Sequence, residues 1–406
     1  MLRFLFALLF AAVVPAHGQS AASQAATVPP AKRPVLRAEP VGGDDAAIAK
    51  AAAAALTASA ATSKQPANVL PPAAAKPPVA PPPDKPPSPL DAKPTGDDAL
   101  RLQIFLDQAN FGPGVIDAKP GHFTELAVYA WNEVNGFPVE DWVAVNTAAR
   151  KAVPNPQAVA VVPDVVKEWL DPDLPTKPSQ QVKKKRMSYR SVCEFMSERY
   201  HCSEDYLITV NGKRKMENLK VRDSIMVPNI TPFEVEKLAE IRHEADPVLS
   251  QRHVVVDTKI NQCRIFEAMP AALVVAEPGA DAPTHIVTRA NRGLIASFPI
   301  TPGQPKFIKY GTWELRGMIE LPYWRYDQQL LDTGKRSKDS LNIPPGPNSP
   351  VGVIWNGLSK PGIGLHGTAN PETIGRARSH GCIRLANWDA IRLPDFIRPG
   401  ASVEIR

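Results

Sequence analysis

A cysteine close to the carboxyl terminus has the neighbours that a nucleophilic thiol needs. Cys382 lies in the segment SHGCIR and follows His366 by 16 residues. A thiol attacks a carbonyl group when a nearby base takes its proton and hydrogen-bond donors stabilise the developing oxyanion. His366 can serve as the base, Gly381 allows close approach of the backbone, and the amides around Cys382 can face the oxyanion. The segment therefore predicts nucleophilic chemistry at a thiol.

Two other uses of the cysteines are open from the residues alone. The chain has four cysteines, and an oxidising compartment would allow two disulfides, Cys193 with Cys202 and Cys263 with Cys382. A zinc site is the other alternative, because two histidines lie near Cys382 in sequence. That site lacks a convincing fourth ligand, and its spacing matches no common zinc pattern. Of the three uses of Cys382, the reactive thiol is the one for which a short segment offers a candidate residue for each requirement.

The elements around this segment are predicted to be mostly β-strands. From about Arg252 onwards, short runs rich in β-branched and apolar residues are separated by turns with glycine and proline. Examples are RHVVVDT, GLIASFPITPG and LNIPPGPNSPVGVIW. Many short strands with such turns favour a mostly β fold over a doubly wound sheet. We therefore predict a β-rich domain over residues 251–406 that positions His366 and Cys382.

Two smaller patterned segments precede this domain. In residues 98–150, apolar residues such as Leu102 and Leu106 give one face of a helix. A second helix is predicted from Thr124, a good N-cap, through Trp131. Residues 188–232 contain two further predicted helices, and the run LKVRDSIMVPN alternates like a strand. The chain is therefore predicted to be multidomain, with small modules ahead of the β-rich domain.

Both small segments resemble modules that bind bacterial cell walls. Residues 98–150 are similar to the small helical peptidoglycan-binding domain, although Ala118 stands where that family has a glycine. Residues 188–232, with Ser203 as the cap of the second helix, resemble a LysM module. The resemblance implies contact with peptidoglycan glycan strands. The alternative is that both segments only connect or support the larger domain.

Residues 1–97 are predicted to lie outside any folded domain. Residues 1–18 combine the basic Arg3 with an apolar run from Phe4 to Val14, which is typical of a secretory signal peptide. An uncleaved anchor is the alternative. Residues 19–97 are rich in proline and alanine and contain no Phe, Trp or Tyr, which predicts a disordered tether. We expect the protein to be exported to the periplasm or cell envelope.

Residues 151–187 are rich in proline, valine and lysine and are predicted to be a linker that closes with KKKRM. The lysine run indicates a solvated surface or, after export, a contact with anionic wall polymers. The formal net charge of the chain is only +6, and no nucleic-acid-binding motif is present in the sequence. We therefore do not expect nucleic acid as a partner.

The segment around Cys382 is similar to the L,D-transpeptidases with a YkuD-type catalytic domain. HGT at residues 366–368 and SHGCIR at residues 379–384 match the signature of that family, and the resemblance covers roughly residues 251–406. It implies a β-sandwich-like catalytic domain, preceded here by α-helical and LysM-like α+β modules. It also implies that the thiol of Cys382 is available for reaction, which would leave Cys263 buried or unpaired.

The resemblance also implies roles for individual residues. Cys382 matches the nucleophile, and His366 matches the general base that forms the thiolate. The backbone carbonyl of Gly367 would orient the imidazole, and His380 would support the site by a hydrogen bond or by its charge. Three further residues would bind substrate or shape the site: Ser379, Gly381 and Arg384.

Two interpretations of Arg384 stay open at this point. Its planar guanidinium could bind a carboxylate of the substrate. It could equally form a structural ion pair with Asp389 or Glu372. Three aromatic residues could line the cleft, although such residues more often belong to a core: Tyr310, Tyr323 and Trp355.

The implied reaction is two-step acyl transfer on peptidoglycan stem peptides, without a metal or organic cofactor. The thiolate would attack the L-centre carbonyl of a diamino acid in a tetrapeptide stem, release D-alanine and leave a thioester. An amine of a second stem would then form a cross-link. The acceptor could instead be water, as in an L,D-carboxypeptidase, or a lysine of a wall-attached protein. A hydrolase that cleaves cross-links and an inactive wall-binding scaffold are the remaining alternatives.

Overall fold

The structure is a computed structural model that describes residues 88–267, 293–305, 307–329, 337–376 and 381–406. The predicted signal peptide and the tether up to residue 87 lie outside these ranges. The prediction that residues 88–97 also belong to a disordered tether is wrong, because Leu90 and Ala92 accept hydrogen bonds of 2.8 and 3.1 Å from Asn146. Among the helices within them, none has both the length and the apolar character needed to cross a membrane. The described residues form two small modules and a larger β-rich domain.

The first module consists of three helices: α1 (Gly96–Gln108), α2 (His122–Asn135) and α3 (Trp142–Ala152). The predicted apolar face of α1 is present, and Leu102 and Leu106 are fully buried. The prediction that Thr124 caps α2 is wrong, because extended backbone at Gly121 starts the helix earlier and Thr124 is buried in its first turn. Ala118 has a φ of 61°, a left-handed conformation that favours glycine.

The second module contains two paired strands and four helices: β1 (Gln157–Val161), α4 (Pro178–Gln181), α5 (Val192–Arg199), α6 (Glu204–Asn211), α7 (Lys213–Glu217) and β2 (Ser224–Pro228). Strands β1 and β2 are antiparallel, and Val161 pairs with Ser224. The predicted cap of α6 is confirmed, since the side chain of Ser203 accepts a hydrogen bond of 3.0 Å from the amide of Tyr206. Helix α6 packs against α5 and beside β2.

The prediction of a linker over residues 151–187 is wrong. Strand β1 lies within this range, and Val162, Val166 and Trp169 are buried. The partner of β1 lies far along the chain, beyond four helices. Composition in a local window cannot reveal such a pairing, so the strand was not recognised from its sequence.

The described residues of the third region form eleven strands and two short α-helices: β3 (Arg242–His243), β4 (His253–Asp257), β5 (Gln262–Phe266), β6 (Leu294–Pro299), β7 (Gly311–Glu320), β8 (Trp324–Tyr326), β9 (Leu341–Ile343), β10 (Ile354–Leu358), β11 (Gly364–His366), β12 (Ile383–Arg384), α8 (Asn387–Ala390), α9 (Leu393–Phe396) and β13 (Ser402–Ile405). The prediction of a mostly β domain is confirmed. Strand β3 pairs with β7, so this domain begins before the predicted boundary at residue 251.

Nine of these strands form one sheet in the order β12, β11, β10, β7, β13, β4, β5 and β6, with β3 also on β7. Strand β7 is long enough to join two groups of strands, because Gly311 to Glu314 pair with β13 and Leu315 to Glu320 pair with β10. Strands β8 and β9 pair separately. The sheet therefore ends at β12, directly after Cys382.

A buried polar cluster joins all three regions. Asp107 of α1 accepts a hydrogen bond from Arg392, which lies between α8 and α9, and its other carboxylate oxygen is 3.1 Å from Nδ1 of His201. His201 lies between α5 and α6, and its ring stacks on Trp388 of α8 at a centroid distance of 5.2 Å. The modules therefore pack directly against the β-rich domain.

Candidate active site

The pairing of two short parallel strands brings Cys382 and His366 to one face of the sheet. His366 of β11 pairs with Arg384 of β12, and the same register places Cys382 opposite Gly364. Side chains point to alternate faces along a strand. Gly364 and His366 therefore share a face with Cys382 and Arg384.

His366 is held in one tautomer by the backbone of the next residue. Its Nδ1 lies 2.7 Å from the carbonyl oxygen of Gly367. Because a carbonyl oxygen can only accept, Nδ1 carries the hydrogen and Nε2 keeps its lone pair. Burial lowers the pKa of His366 to about 4, and the charge of Arg384 acts in the same direction. The imidazole is therefore neutral at rest and can accept a proton at Nε2.

Trp355 of β10 fixes the position of this imidazole from the neighbouring strand. It pairs with His366 across β10 and β11, and the two rings stack at a centroid distance of 5.6 Å. The indole also covers Gly364, where an added Cβ would lie 2.7 Å from the ring. Trp355 therefore belongs to the site, whereas Tyr310 and Tyr323 are 53% and 61% exposed.

Cys382 carries a partly buried thiol that is protonated at rest. Its Sγ donates to the carbonyl oxygen of Gly362 at 3.4 Å. Burial raises the pKa of Cys382 to about 11, although the charge of Arg384 and a backbone hydrogen bond from Gly364 oppose this shift. The resting pair is therefore a neutral thiol beside a neutral imidazole.

None of the four cysteines forms a disulfide in the structure. Cys263 lies on β5 and is fully buried. This matches the expectation that followed from a reactive Cys382. Cys193 and Cys202 are also buried thiols, so neither of the two disulfides considered as alternatives is present.

Arg384 supplies a positive charge beside the pair. Its Nε is buried and has no hydrogen-bond partner among the described residues. Within the same residues, no carboxylate forms an ion pair with Arg384; Asp389 instead lies 3.7 Å from Arg392. The ion pair that the sequence left open is therefore not found there. The charge of Arg384 favours the thiolate of Cys382 and disfavours protonation of His366.

Asn387 of α8 supports the backbone that holds His366, and sequence reasoning missed it. An added Cβ at Gly367 would lie 2.0 Å from its Oδ1, and one at Gly352 would lie 2.1 Å away. The same oxygen accepts a hydrogen bond of 3.2 Å from the amide of Val353. The side chain of Asn387 thus fills the space that both glycines leave open. The one sequence signal for this supporting role was the position of Asn387 in the segment IRLANWDA, shortly after Cys382.

Gly303 supports the backbone on the other side of the cysteine. An added Cβ at Gly303 would lie 2.4 Å from the Cα of Gly381. Two residues before Gly303, the backbone of Thr301 exchanges hydrogen bonds of 2.9 and 3.0 Å with the backbone of Arg384. The turn after β6 therefore packs against the residues that flank Cys382. The glycine was noted in the sequence only as a turn signal.

The other predicted site residues have different outcomes. Gly381 directly precedes Cys382 and contacts Gly303, as described above. Ser379 and His380 lie outside the described residues, so their predicted roles stay predictions. The structure thus brings together Cys382, His366, Gly367, Gly381 and Arg384. A cysteine and a histidine base on adjacent strands are suited to covalent acyl transfer.

Comparison with known proteins identifies the family of this region. Residues 280–405 match the family model of the YkuD L,D-transpeptidase catalytic domain. A Bacillus licheniformis protein with the provisional name L,D-transpeptidase YkuD is 45% identical over 65 residues, which cover 16% of this chain and 39% of that protein. A Bacillus subtilis protein of the same provisional name is 45% identical over 65 residues and is covered to 40%. Residues 280–405 are therefore similar to the catalytic domain of the L,D-transpeptidase (YkuD) family.

Solved structures of L,D-transpeptidases are similar at a lower level. An L,D-transpeptidase from Mycobacterium smegmatis is 14% identical, with a TM-score of 0.26 over 38% of this chain and 58% of the other. L,D-transpeptidase 3 from Mycobacterium tuberculosis is 13% identical, with a TM-score of 0.25 over 46% of this chain and 75% of the other. The chain spans about two fifths of the length of the Bacillus relatives.

Proposed function

We propose that the protein is a peptidoglycan L,D-transpeptidase that uses Cys382 as nucleophile and His366 as general base. The observation that carries this proposal is the register of β11 and β12, which places both side chains on one face. The hydrogen bond from His366 to Gly367 leaves Nε2 as the proton acceptor. The family of the domain supports the substrate, a tetrapeptide stem of the bacterial wall.

In the first step, His366 Nε2 takes the proton from Cys382 Sγ as sulfur attacks the L-centre carbonyl carbon of the diamino acid. The carbon–nitrogen bond to D-alanine breaks, and the leaving amine takes the proton from Nε2. A thioester to Cys382 remains. Because both groups are neutral at rest, His366 must accept the thiol proton as part of this step.

In the second step, the side-chain amine of another stem attacks the thioester. His366 Nε2 takes a proton from the attacking nitrogen, an amide bond forms, and the carbon–sulfur bond breaks. The proton then returns to the sulfur, which restores the thiol. The product is a cross-link between two diamino acids, and no group is oxidised or reduced.

Arg384 is proposed to bind a carboxylate of the donor stem. Its buried Nε lacks a partner among the described residues, and burial lowers the pKa of its guanidinium. A planar guanidinium pairs well with a carboxylate. A substrate carboxylate would satisfy this donor and orient the stem next to Cys382.

Export to the periplasm or cell envelope is the second part of the proposal. It is supported by the basic and apolar pattern of residues 1–18 and by the proline-rich composition that follows. Fusion of residues 1–97 to a reporter enzyme, followed by cell fractionation, tests it. A reporter that stays in the cytoplasm would contradict this part alone.

Mass spectrometry of the purified protein with a disaccharide tetrapeptide tests the reaction. We expect a thioester adduct and a dimeric product with loss of D-alanine, both absent in Cys382→Ala. The matched control is Cys263→Ala, which removes a buried thiol outside the site and should keep both signals. A tripeptide without dimer would indicate a carboxypeptidase. Absence of adduct and product from the parent protein would refute the proposal.

A further inference from the structure

A buried acid of the second module reaches into the catalytic domain. Glu198 of α5 is 6% exposed. Its Oε2 accepts a hydrogen bond from the hydroxyl of Tyr189, and its Oε1 accepts one of 2.8 Å from Nδ2 of Asn387. Asn387 is fully buried in α8. A side chain from outside the catalytic domain therefore holds the amide that supports the active-site backbone.

The catalytic histidine lies two contacts beyond this hydrogen bond. The amide of Asn387 occupies the space next to Gly367, where an added Cβ would lie 2.0 Å from Oδ1. The carbonyl oxygen of Gly367 accepts the 2.7 Å hydrogen bond from His366 Nδ1. A displaced Asn387 would free Gly367 to move, and the imidazole would lose its fixed orientation.

We propose that Glu198 is a positioning residue for the reaction, and that the second module is thereby part of the active-site structure. It holds Asn387 against Gly367 and so fixes the ring of His366. The inference rests on the proposed function for its turnover measurement, but it also predicts reactivity of Cys382 that needs no substrate. Nothing in this role requires the module to bind glycan.

The protonation of Glu198 determines which substitution can imitate it. Burial raises the pKa of Glu198 to about 8, with Glu194 acting in the same direction, while the hydrogen bonds from Tyr189 and Asn387 oppose the shift. At neutral pH the group is therefore mostly the uncharged acid. Glutamine has the same shape, and its Oε1 can accept from Asn387. Glu198→Gln should thus retain the positioning contact that Glu198→Ala removes.

Asn348 provides a control at the same interface. Its Nδ2 donates to the carbonyl oxygen of Ser188 at 2.8 Å and to Glu194 Oε1 at 2.7 Å. It thus ties the same module to the same domain with one buried and one partly buried hydrogen bond. Among the described residues, its side chain forms no hydrogen bond with Asn387 or Gly367, although the carbonyl oxygen of the preceding Pro347 accepts one of 3.2 Å from Asn387 Nδ2. Asn348→Ala removes these two hydrogen bonds and leaves the side chains of Glu198 and Asn387, and the hydrogen bond between them, in place.

The experiment compares the parent chain with Glu198→Ala, Glu198→Gln and Asn348→Ala. For each we would measure kcat and KM with a disaccharide tetrapeptide, the thermal midpoint, and the rate of Cys382 alkylation by iodoacetamide between pH 6 and 10. We expect Glu198→Ala to lower kcat by about 10- to 100-fold with little change in KM, since small misplacement of reacting groups has effects of this size. Its alkylation rate near pH 7 should fall, because the displaced imidazole no longer assists removal of the thiol proton.

The two remaining variants separate positioning from stability. We expect Glu198→Gln to restore kcat and the alkylation profile, and Asn348→Ala to lower the thermal midpoint while leaving both near the parent values. Equal losses in Glu198→Ala and Asn348→Ala, or a Glu198→Gln as slow as Glu198→Ala, would overturn the inference. If the parent forms no adduct but alkylation still distinguishes Glu198→Ala from Asn348→Ala, the proposed function fails and the inference stands.

Discussion

Two buried histidines of this protein have closely similar surroundings and different consequences. His366 stacks on Trp355, and His201 stacks on Trp388. Each is also bonded through Nδ1, His366 to a carbonyl oxygen and His201 to the carboxylate of Asp107. Burial lowers the pKa of both imidazoles. The two sites differ in the charge of the groups that surround each imidazole ring and in the exposure of the nearby cysteine.

The cluster around His201 is charged. Arg392 and His201 hold the pKa of Asp107 well below its usual range, and Asp107 and Asp389 raise the pKa of Arg392. Cys202, adjacent in sequence to His201, is 2% exposed. The pair at the active site is neutral, and Cys382 is only partly buried. A histidine beside a cysteine is therefore no sufficient sign of catalysis. The proposed reactive pair differs from His201 and Cys202 in its more accessible thiol and in an imidazole that has no carboxylate partner.

Exchanging each histidine tests this comparison with the largest expected effect. We expect His366→Gln to lower the rate of acyl-enzyme formation by about 100- to 10,000-fold, because it removes the proposed general base. His201→Gln should leave the rate of the folded protein near that of the parent. Time-resolved intact mass spectrometry measures both. An equal loss in His201→Gln would mean that the two sites are functionally coupled.

Removing the acid of the charged cluster should mainly affect stability. Asp107→Ala leaves Arg392 buried without its strongest partner, and we expect a loss of about 3 to 5 kcal/mol in the free energy of unfolding. Chemical denaturation followed by tryptophan fluorescence measures it. Asp164→Ala removes an exposed carboxylate that pairs with Lys167 and Arg222 and should leave the curve near that of the parent. A small effect of Asp107→Ala would show that the cluster does not hold the modules together.

The active site should depend on backbone packing more than on charge. Gly303→Ala would place a Cβ 2.4 Å from Gly381, so the residues before Cys382 must move. We expect acyl-enzyme formation to slow by about 100-fold. Gly317→Ala is the matched control, since an added Cβ there meets no atom within 4 Å. A Gly303→Ala protein with parent activity would show that the turn after β6 does not position the nucleophile.

The charge of Arg384 should have the smallest effect. Because this charge favours the thiolate, its removal raises the pKa of Cys382 further above its usual value. We expect Arg384→Gln to slow alkylation by iodoacetamide at pH 9, by less than about tenfold, or one pKa unit. Arg406→Gln, which removes a remote arginine paired with Asp257, should leave the rate unchanged. Faster alkylation in Arg384→Gln would reverse the sign assigned to this residue.

Local patterns predicted those parts of the fold that depend on neighbouring residues. The apolar face of α1 and the cap Ser203 depend on residues a few positions apart, and the structure contains both. The start of α2 was misplaced because extended backbone at Gly121 begins the helix without a capping side chain. Strand β1 was missed because its partner β2 lies far along the chain.

The sequence by itself determined the chemical groups of the candidate site. The spacing of His366 and Cys382 indicated the family, which the match over residues 280–405 bears out. The residue types alone indicate a thiol nucleophile and an imidazole base, with glycines whose backbone can approach closely. The sequence also indicated the mostly β character of the domain, since alternation and turn residues act over short distances.

Only the tertiary structure decided how these groups are held and protonated. The parallel register of β11 and β12 places the pair on one face, and burial then makes both groups neutral. Glu198 and Asn387 meet although they are far apart in sequence, and the cluster of Asp107, His201 and Arg392 joins three regions of the chain. Desolvation and buried hydrogen bonds depend on every atom packed around a group, so no local pattern encodes them.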